Sequence, residues 1–280
     1  MFFTGIADEA GKSIDTQIKA HQTLGWKHIE LRLIDDYNLA SLSAAKYEEV
    51  KTKLQVAGIT LSCFASAIAN WAKKISGDFN VDLTELKNGI PRMKELGTKF
   101  VRIMSYPNDN WSDADWFKEV VRRTKEMSRI AEDNDIILVH ENCSGWGGRS
   151  PVHTLQLLDA VNSPALKLVY DTGNPPAEGQ DGWDFYTKVK AHIVYVHIKD
   201  AKMAKHGEKV TFTYPGAGDG DVKKIVSDLL KSGYNGGFSI EPHLAAIVHE
   251  AKDADDANFA FREYVRYGRK LMEMMRSSEK

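Results

Sequence analysis

Ile136-Ile137-Leu138-Val139-His140-Glu141-Asn142 decides the fold. Four apolar residues rich in β-branching end abruptly in polar ones, as a strand buried on both faces and emerging at a catalytic rim should. Three later runs have the same form: Leu168-Val169-Tyr170-Asp171-Thr172-Gly173-Asn174, Val194-Tyr195-Val196-His197-Ile198-Lys199-Asp200 and Gly237-Phe238-Ser239-Ile240-Glu241-Pro242-His243. Working outward, eight short runs can be counted, at residues 2–7, 28–31, 60–64, 100–104, 136–140, 166–170, 193–198 and 237–240. Between them, apolar residues recur at helical spacing. Examples are Ile14, Ile18 and Leu24 behind an N-cap at Ser13, then Val120, Val121, Met127 and Ile130, then Phe261, Val265 and Leu271.

Strands alternating with helices give right-handed βαβ units and a parallel sheet. Eight such units close as a (β/α)8 TIM barrel of the α/β class, expected as one domain over residues 1–280. The competing open, doubly wound sheet carries a Gly-rich phosphate loop after its first strand. Here that place reads Ala7-Asp8-Glu9-Ala10-Gly11, which is not G-x-G-x-x-G. The length of 280 residues suits a barrel. The net charge of -2 counts against a nucleic-acid partner. Two cysteines, Cys63 and Cys143, make no disulfide framework. No basic n-region opens the chain, and no apolar run approaches the roughly 18 residues of a membrane span. A reduced, cytoplasmic setting without a membrane partner is the expectation. A homo-oligomer is compatible with the sequence, although no interface is legible in it.

Active sites of such barrels sit at the C-terminal ends of the strands. The last four runs end in Glu141, Asp171, His197 and Glu241, and these can converge on the barrel axis. Three carboxylates and one imidazole make a hard site for one divalent metal. Mn²⁺ is favoured, with Mg²⁺, Co²⁺, Fe²⁺ and Zn²⁺ as alternatives. Without a cation the carboxylates would repel one another and some would protonate. His140, one residue before Glu141, points to the other face of its strand and is expected to pack against helices. Glu9 and Glu30 are candidates for substrate contact, with a salt bridge across the barrel mouth as the alternative. Arg102 needs an acidic partner, for which Glu30 and Asp8 are candidates. Within Cys143-Ser144-Gly145-Trp146-Gly147-Gly148-Arg149, Trp146 could stack on a sugar ring and Arg149 could take a phosphate or carboxylate; a plain flexible loop is the alternative. Trp71 and Trp111 are further candidates for the pocket wall. In Gly216-Ala217-Gly218-Asp219-Gly220, the acids oppose an anion, so a plain turn and helix cap is expected.

At these residues the chain resembles the xylose isomerase-like superfamily of sugar phosphate isomerases and epimerases. The resemblance runs over the whole barrel and is strongest in His140-Glu141-Asn142, Tyr170-Asp171-Thr172-Gly173-Asn174, Val196-His197-Ile198-Lys199-Asp200 and Ser239-Ile240-Glu241-Pro242-His243. In the D-tagatose 3-epimerase-like members, a Glu, Asp, His and Glu on strands five to eight hold one metal, and the two glutamates move the substrate proton. The resemblance implies those roles for Glu141, Asp171, His197 and Glu241. It departs at two places. Asn174 stands where ketose 3-epimerases have a histidine, and Lys199 and Lys202 stand where they have an arginine. Asn174, Lys199 and His243 complete the candidate substrate-binding set.

The expected function is a metal-dependent isomerase or epimerase that moves a proton next to a carbonyl of a small sugar, ketose or sugar-like polyol. Glu141 and Glu241 would be its catalytic groups. The alternatives are a metal-dependent lyase dehydrating a keto-polyol, as in inosose dehydratase, then an apurinic-site endonuclease or a non-catalytic sugar-binding barrel.

Overall fold

Eight parallel strands form the sheet of the computed structural model, which describes residues 1–203, 209–245 and 257–278. They are β1 (Phe2–Gly5), β2 (His28–Leu31), β3 (Thr60–Phe64), β4 (Phe100–Ser105), β5 (Ile137–Gly145), β6 (Leu166–Asp171), β7 (Ile193–Ile198) and β8 (Gly237–Ile240). From β2 to β8 each pairs with its neighbour in sequence, and β8 pairs with β1. The ring closes between β1 and β2 through one parallel bridge, Ile6 to Glu30. The chain is therefore a (β/α)8 TIM barrel.

The helices are α1 (Ile14–Leu24), α2 (Ala44–Ala57), α3 (Phe79–Leu96), α4 (Asp113–Asp133), α5 (Pro151–Val161), α6 (Asn174–Ala177), α7 (Gly182–Val189), α8 (Val222–Lys231) and α9 (Ala257–Ser278). Loops that leave the strands deliver a capping oxygen to the next helix. Ser13, Ser43, Asp78, Ser112, Ser150 and Asp181 each accept a backbone N–H from the first turn. The expected N-cap at Ser13 is among them. The expected cap at α8 differs: Asp221 holds the N-cap position in the left-handed region, φ 53°, without a side-chain cap bond.

Strand register fixes which side chains meet on the axis. Val139, Val169, Tyr195 and Cys63 pack together inside the ring. Two residues further along three of these strands stand Glu141, Asp171 and His197. Side chains two apart share a face, so these groups point inward one layer above that plug. Asp171 and Ser239 both lie in register with His197. His140 takes the opposite face, buried beside Gly147 and helix α5, as alternation predicts. β5 runs longer than its apolar run implies. It continues through Cys143 to Gly145, which pairs with Ser105, and a tight turn at Trp146–Gly148 follows. The stretch read as a loop is thus mostly built structure.

Candidate metal centre and substrate pocket

Ligand-capable atoms of Glu141, Asp171, His197 and Glu241 lie within 4.8 Å of one another, and all four residues are buried. The His197 ring bridges acids on both sides. Its Nδ1 is 3.4 Å from Glu141 Oε1 and 3.8 Å from Glu241 Oε2, while Nε2 is 3.1 Å from Glu30 Oε1. Ser239 donates to the other Glu30 oxygen at 2.5 Å. Glu30 is therefore wholly buried beneath the mouth and orients the imidazole from behind. The sequence-based expectation that it reaches the substrate does not hold, because Glu30, one residue before the end of β2, spends both carboxylate oxygens on His197 and Ser239 and is wholly buried. Asn142 fixes Asp171: its amide donates to the Asp171 carbonyl at 2.9 Å and its carbonyl accepts the Asp171 N–H at 2.6 Å. Gly173 and Asn174 N–H groups donate to Asp171 Oδ1 at 2.8 and 2.7 Å.

Around this cluster stand the carboxylates of Asp8, Glu9, Glu30, Glu141, Asp171 and Glu241, against the fixed cations Arg32, Arg102 and Lys199. Acids outnumber cations two to one. Burial raises Asp171, and the neighbouring glutamates reinforce it against Lys199. Burial likewise raises Glu9 against Arg32. Burial also disfavours ionised Glu141 and Glu241, but other contacts prevail: Arg102 with His197 holds Glu141 low, and Lys199, helped by a hydrogen bond from the His243 ring, holds Glu241 low. Burial lowers His197, yet Glu30 and Glu141 push it up to about 10. Without further positive charge, the site thus stores protons on Asp171, Glu9 and His197. Among the described residues, none donates a hydrogen bond to Glu141 Oε2, with Arg102 Nη1 3.4 Å away. This donor set, three carboxylates and an imidazole with unspent acceptor capacity, fits a hard divalent cation.

Lys199 reaches into the same cluster, 3.0 Å from both Asp171 Oδ2 and Glu241 Oε2. Arg32, which sequence reasoning did not single out as a site residue, ties three acids together: Asp8 at 3.0 Å, Glu241 at 3.1 Å and Glu9 at 3.5 Å. Its only signal was a cation at a strand end otherwise crowded with acids. Glu9 accepts the His243 N–H at 2.7 Å and sits behind the pocket wall, which matches the salt-bridge alternative. His243 Nε2 is 3.3 Å from Glu241 Oε1; burial foremost, then Lys199, lowers the ring to about 3, so it is neutral. Arg102 pairs with Glu141, in place of the Glu30 or Asp8 expected.

A pocket of about 260 Å³ opens over these groups. Glu141, Glu241, Lys199, Arg32, Arg102, Asn174 and His243 form its polar floor, and Trp71, Met104, Cys143, Val210 and Phe212 its apolar wall. Asp171 and His197 lie below, fully buried. Asn174 donates to Glu141 Oε1 at 3.4 Å. Phe212 belongs to a two-residue strand, Phe212–Thr213, paired antiparallel with Asp200–Ala201, and its ring meets His243 edge-on at 4.8 Å.

The loop expectations at Trp146 and Arg149 do not hold. Trp146 is buried against Phe117 and His153, with ring centroids 4.2 and 4.7 Å away, so it offers no face to a sugar. Arg149 lies at the surface, 2.5 Å from Asp113 and over the Trp116 ring. Trp111 lies in a separate surface hollow beside α4, whereas Trp71 does line the pocket.

Residues 18–264 match the family model described as the xylose isomerase-like TIM barrel, and the chain belongs to that family. Among curated relatives, inosose dehydratase from Clostridium tetani is 24% identical over 144 residues, 47% of this chain and 48% of the relative. The chain spans about half the length of the curated relatives it matches. Among solved structures, a D-tagatose 3-epimerase-like protein superposes with a TM-score of 0.76 at 17% identity, covering 100% of this chain and 98% of that one. A xylose isomerase-like TIM barrel protein from Mycobacterium smegmatis, in complex with magnesium, gives 0.71 at 17% identity, covering 98% and 97%. Among the described residues, no helix is long and apolar enough to cross a membrane.

Proposed function

We propose that this protein is a divalent-metal-dependent isomerase or epimerase that moves a proton at the carbon next to a carbonyl of a small sugar, ketose or sugar-like polyol. The observation that carries this reading is the convergence of Glu141, Asp171, His197 and Glu241 beneath a pocket of about 260 Å³, just under the usual range for small-molecule sites and suited to a monosaccharide. Those four residues would hold the metal, Mn²⁺ by preference and Mg²⁺ as the ion named for the Mycobacterium smegmatis structure. When bound, it supplies positive charge that stabilises the developing negative oxygen.

The chain's own groups do the rest. Glu141 and Glu241 come from strands three apart around the ring and both line the pocket. As ionised carboxylates, either can accept the proton on the carbon next to the carbonyl. Return of a proton by the opposite carboxylate inverts that carbon and gives epimerisation. Return by the same carboxylate to the neighbouring carbon gives aldose–ketose isomerisation. Lys199, Asn174 and His243 offer donors to the substrate's oxygens, while Trp71, Phe212 and Met104 shield the floor from water.

The test is a panel of ketoses, aldoses and inososes in deuterated water with Mn²⁺, read by deuterium entering the substrate. Exchange is expected in the wild type and lost in Glu141→Gln and in Glu241→Gln; retained exchange in both variants sinks the assignment. The inosose dehydratase relatives favour a second reading, loss of water. There the same base removes the proton, and a hydroxyl on the next carbon leaves as water to give an unsaturated ketone. Appearance of its ultraviolet absorbance, in place of exchange without net loss, would select that reading.

A further inference from the structure

The loop between β7 and α8 bears on the substrate's charge, and the inference rests on the proton-transfer reading above. In (β/α)8 barrels, phosphate groups are frequently received by backbone N–H groups of the loops after strands seven and eight, at a helix N-terminus. This chain has a glycine-rich loop at that position: Gly216-Ala217-Gly218-Asp219-Gly220 runs directly into α8.

Its donors are already engaged. Asp200, just past the end of β7 and 1% exposed, takes N–H groups from Gly216 at 2.8 Å, Gly218 at 2.9 Å and Gly220 at 3.0 Å, besides that of Ala201 at 3.0 Å. A carboxylate with four N–H donors is seated as a bound anion would be. The seat is tight, since a Cβ on Gly218 would lie 2.2 Å from Asp200 Oδ1. The next acid in the loop, Asp219, accepts the Met203 N–H at 2.7 Å.

The pocket shows the same saturation. Among the described residues, its lining cations are Arg32, Arg102 and Lys199, and each already faces a carboxylate: Asp8 and Glu241, Glu141, and Asp171 with Glu241. Arg149, the sequence's candidate for an anionic group, faces Asp113 at the surface. A phosphate dianion entering the pocket would meet an excess of carboxylates, and one divalent cation does not offset the surplus.

We propose that Asp200 is a resident anion filling the barrel's phosphate position, and that the substrate is an uncharged hydroxy-carbonyl sugar or polyol ketone, not its phosphate ester. The test uses the full chain supplemented with Mg²⁺. Deuterium exchange is compared within the pairs D-fructose and D-fructose 6-phosphate, and D-ribulose and D-ribulose 5-phosphate, while inorganic phosphate is titrated calorimetrically. Exchange into the uncharged member is expected to be at least about tenfold faster, as unfavourable like-charge contact requires. Wild-type protein is expected to show no saturable phosphate binding, and Asp200→Ala to acquire it. Faster exchange into a phosphate ester, saturable phosphate binding by the wild type, or a folded Asp200→Ala that still ignores phosphate each overturns the proposal. If no sugar exchanges at all, the proton-transfer reading fails on its own, and the phosphate titrations still decide this one.

Discussion

Acid should unfold this barrel through His21, a residue remote from the pocket. The ring is fully buried between α1 and α9. Its Nδ1 is 2.9 Å from the Gln17 carbonyl and Nε2 is 3.3 Å from the Tyr264 hydroxyl. The first contact requires a proton on Nδ1, which leaves Nε2 to accept from Tyr264. The neutral ring therefore satisfies both neighbours, and burial holds it down from 6.5 to about 4. As pH falls, the unfolded chain takes up this proton first. The contribution is complete above pH 6.5 and is lost between 6.5 and about 4. At 1.36 kcal/mol per pH unit that gap is worth about 3 kcal/mol, a large share of a typical domain's stability. The assay is urea unfolding from pH 7.5 to 4 for the wild type and His21→Phe, which keeps a ring beside Trp26 and removes the titration. Other groups cancel in the difference. The wild type's stability relative to the variant is expected to shrink by about 3 kcal/mol across that range. A difference that does not change with pH would falsify the account, since His21 would then be charging in place.

Three further outcomes are expected. Gly148→Ala would place a Cβ 1.7 Å from the Cys143 carbonyl oxygen, so this turn beyond Glu141 must move; a loss of at least about 2 kcal/mol should appear in thermal melts, and an unchanged midpoint would show that the turn yields freely. Glu30→Gln keeps the shape behind His197 but removes its charge; calorimetric Mn²⁺ affinity should weaken roughly 10–100-fold, and an unaltered affinity would mean the sheet alone sets the ring. Mn²⁺ at about a hundred times its dissociation constant should stabilise the protein by about 2.7 kcal/mol, reversibly with chelator, and Asp171→Ala should abolish that gain; equal stabilisation of the variant would place the ion elsewhere.

All eight strands were legible in the sequence because a parallel strand covered on both faces reads as a short apolar run, and seven of the runs ended within about two residues of the observed strand ends. The eighth, in β5, was cut short because Cys143, Ser144 and Gly145 carry no apolar signal although they still pair with β4. The tetrad was legible because each of its members closes such a run. What escaped was direction and depth. Trp146 and Arg149 have chemistry suited to a sugar, but packing against Phe117 and Asp113 turns them away, and no local pattern reports that. Glu30 was placed at the rim because β2 is short; its pairing with His197 arises from residues 167 apart. The counter-ion roles of Arg32 and Lys199 depend on strands meeting across the axis, which spacing along one strand cannot reveal.

The closure of the ring has its own consequence. Six of the eight seams are stitched by backbone ladders of three or more pairs; β3 and β4 share one registered pair, Phe64 with Val101, and β1 and β2 share one bridge, Ile6 to Glu30. Beside that weak seam Arg32 reaches across from the end of β2 to Asp8 and Glu9 after β1, and also to Glu241 after β8. A side chain thus fastens what the backbone leaves loose, and one of its anchors is a carboxylate that would exchange protons with substrate. On the proposed proton transfer, a change of charge at Glu241 would be felt at the joint that keeps the cylinder shut, making mechanical integrity and turnover two demands on a single guanidinium.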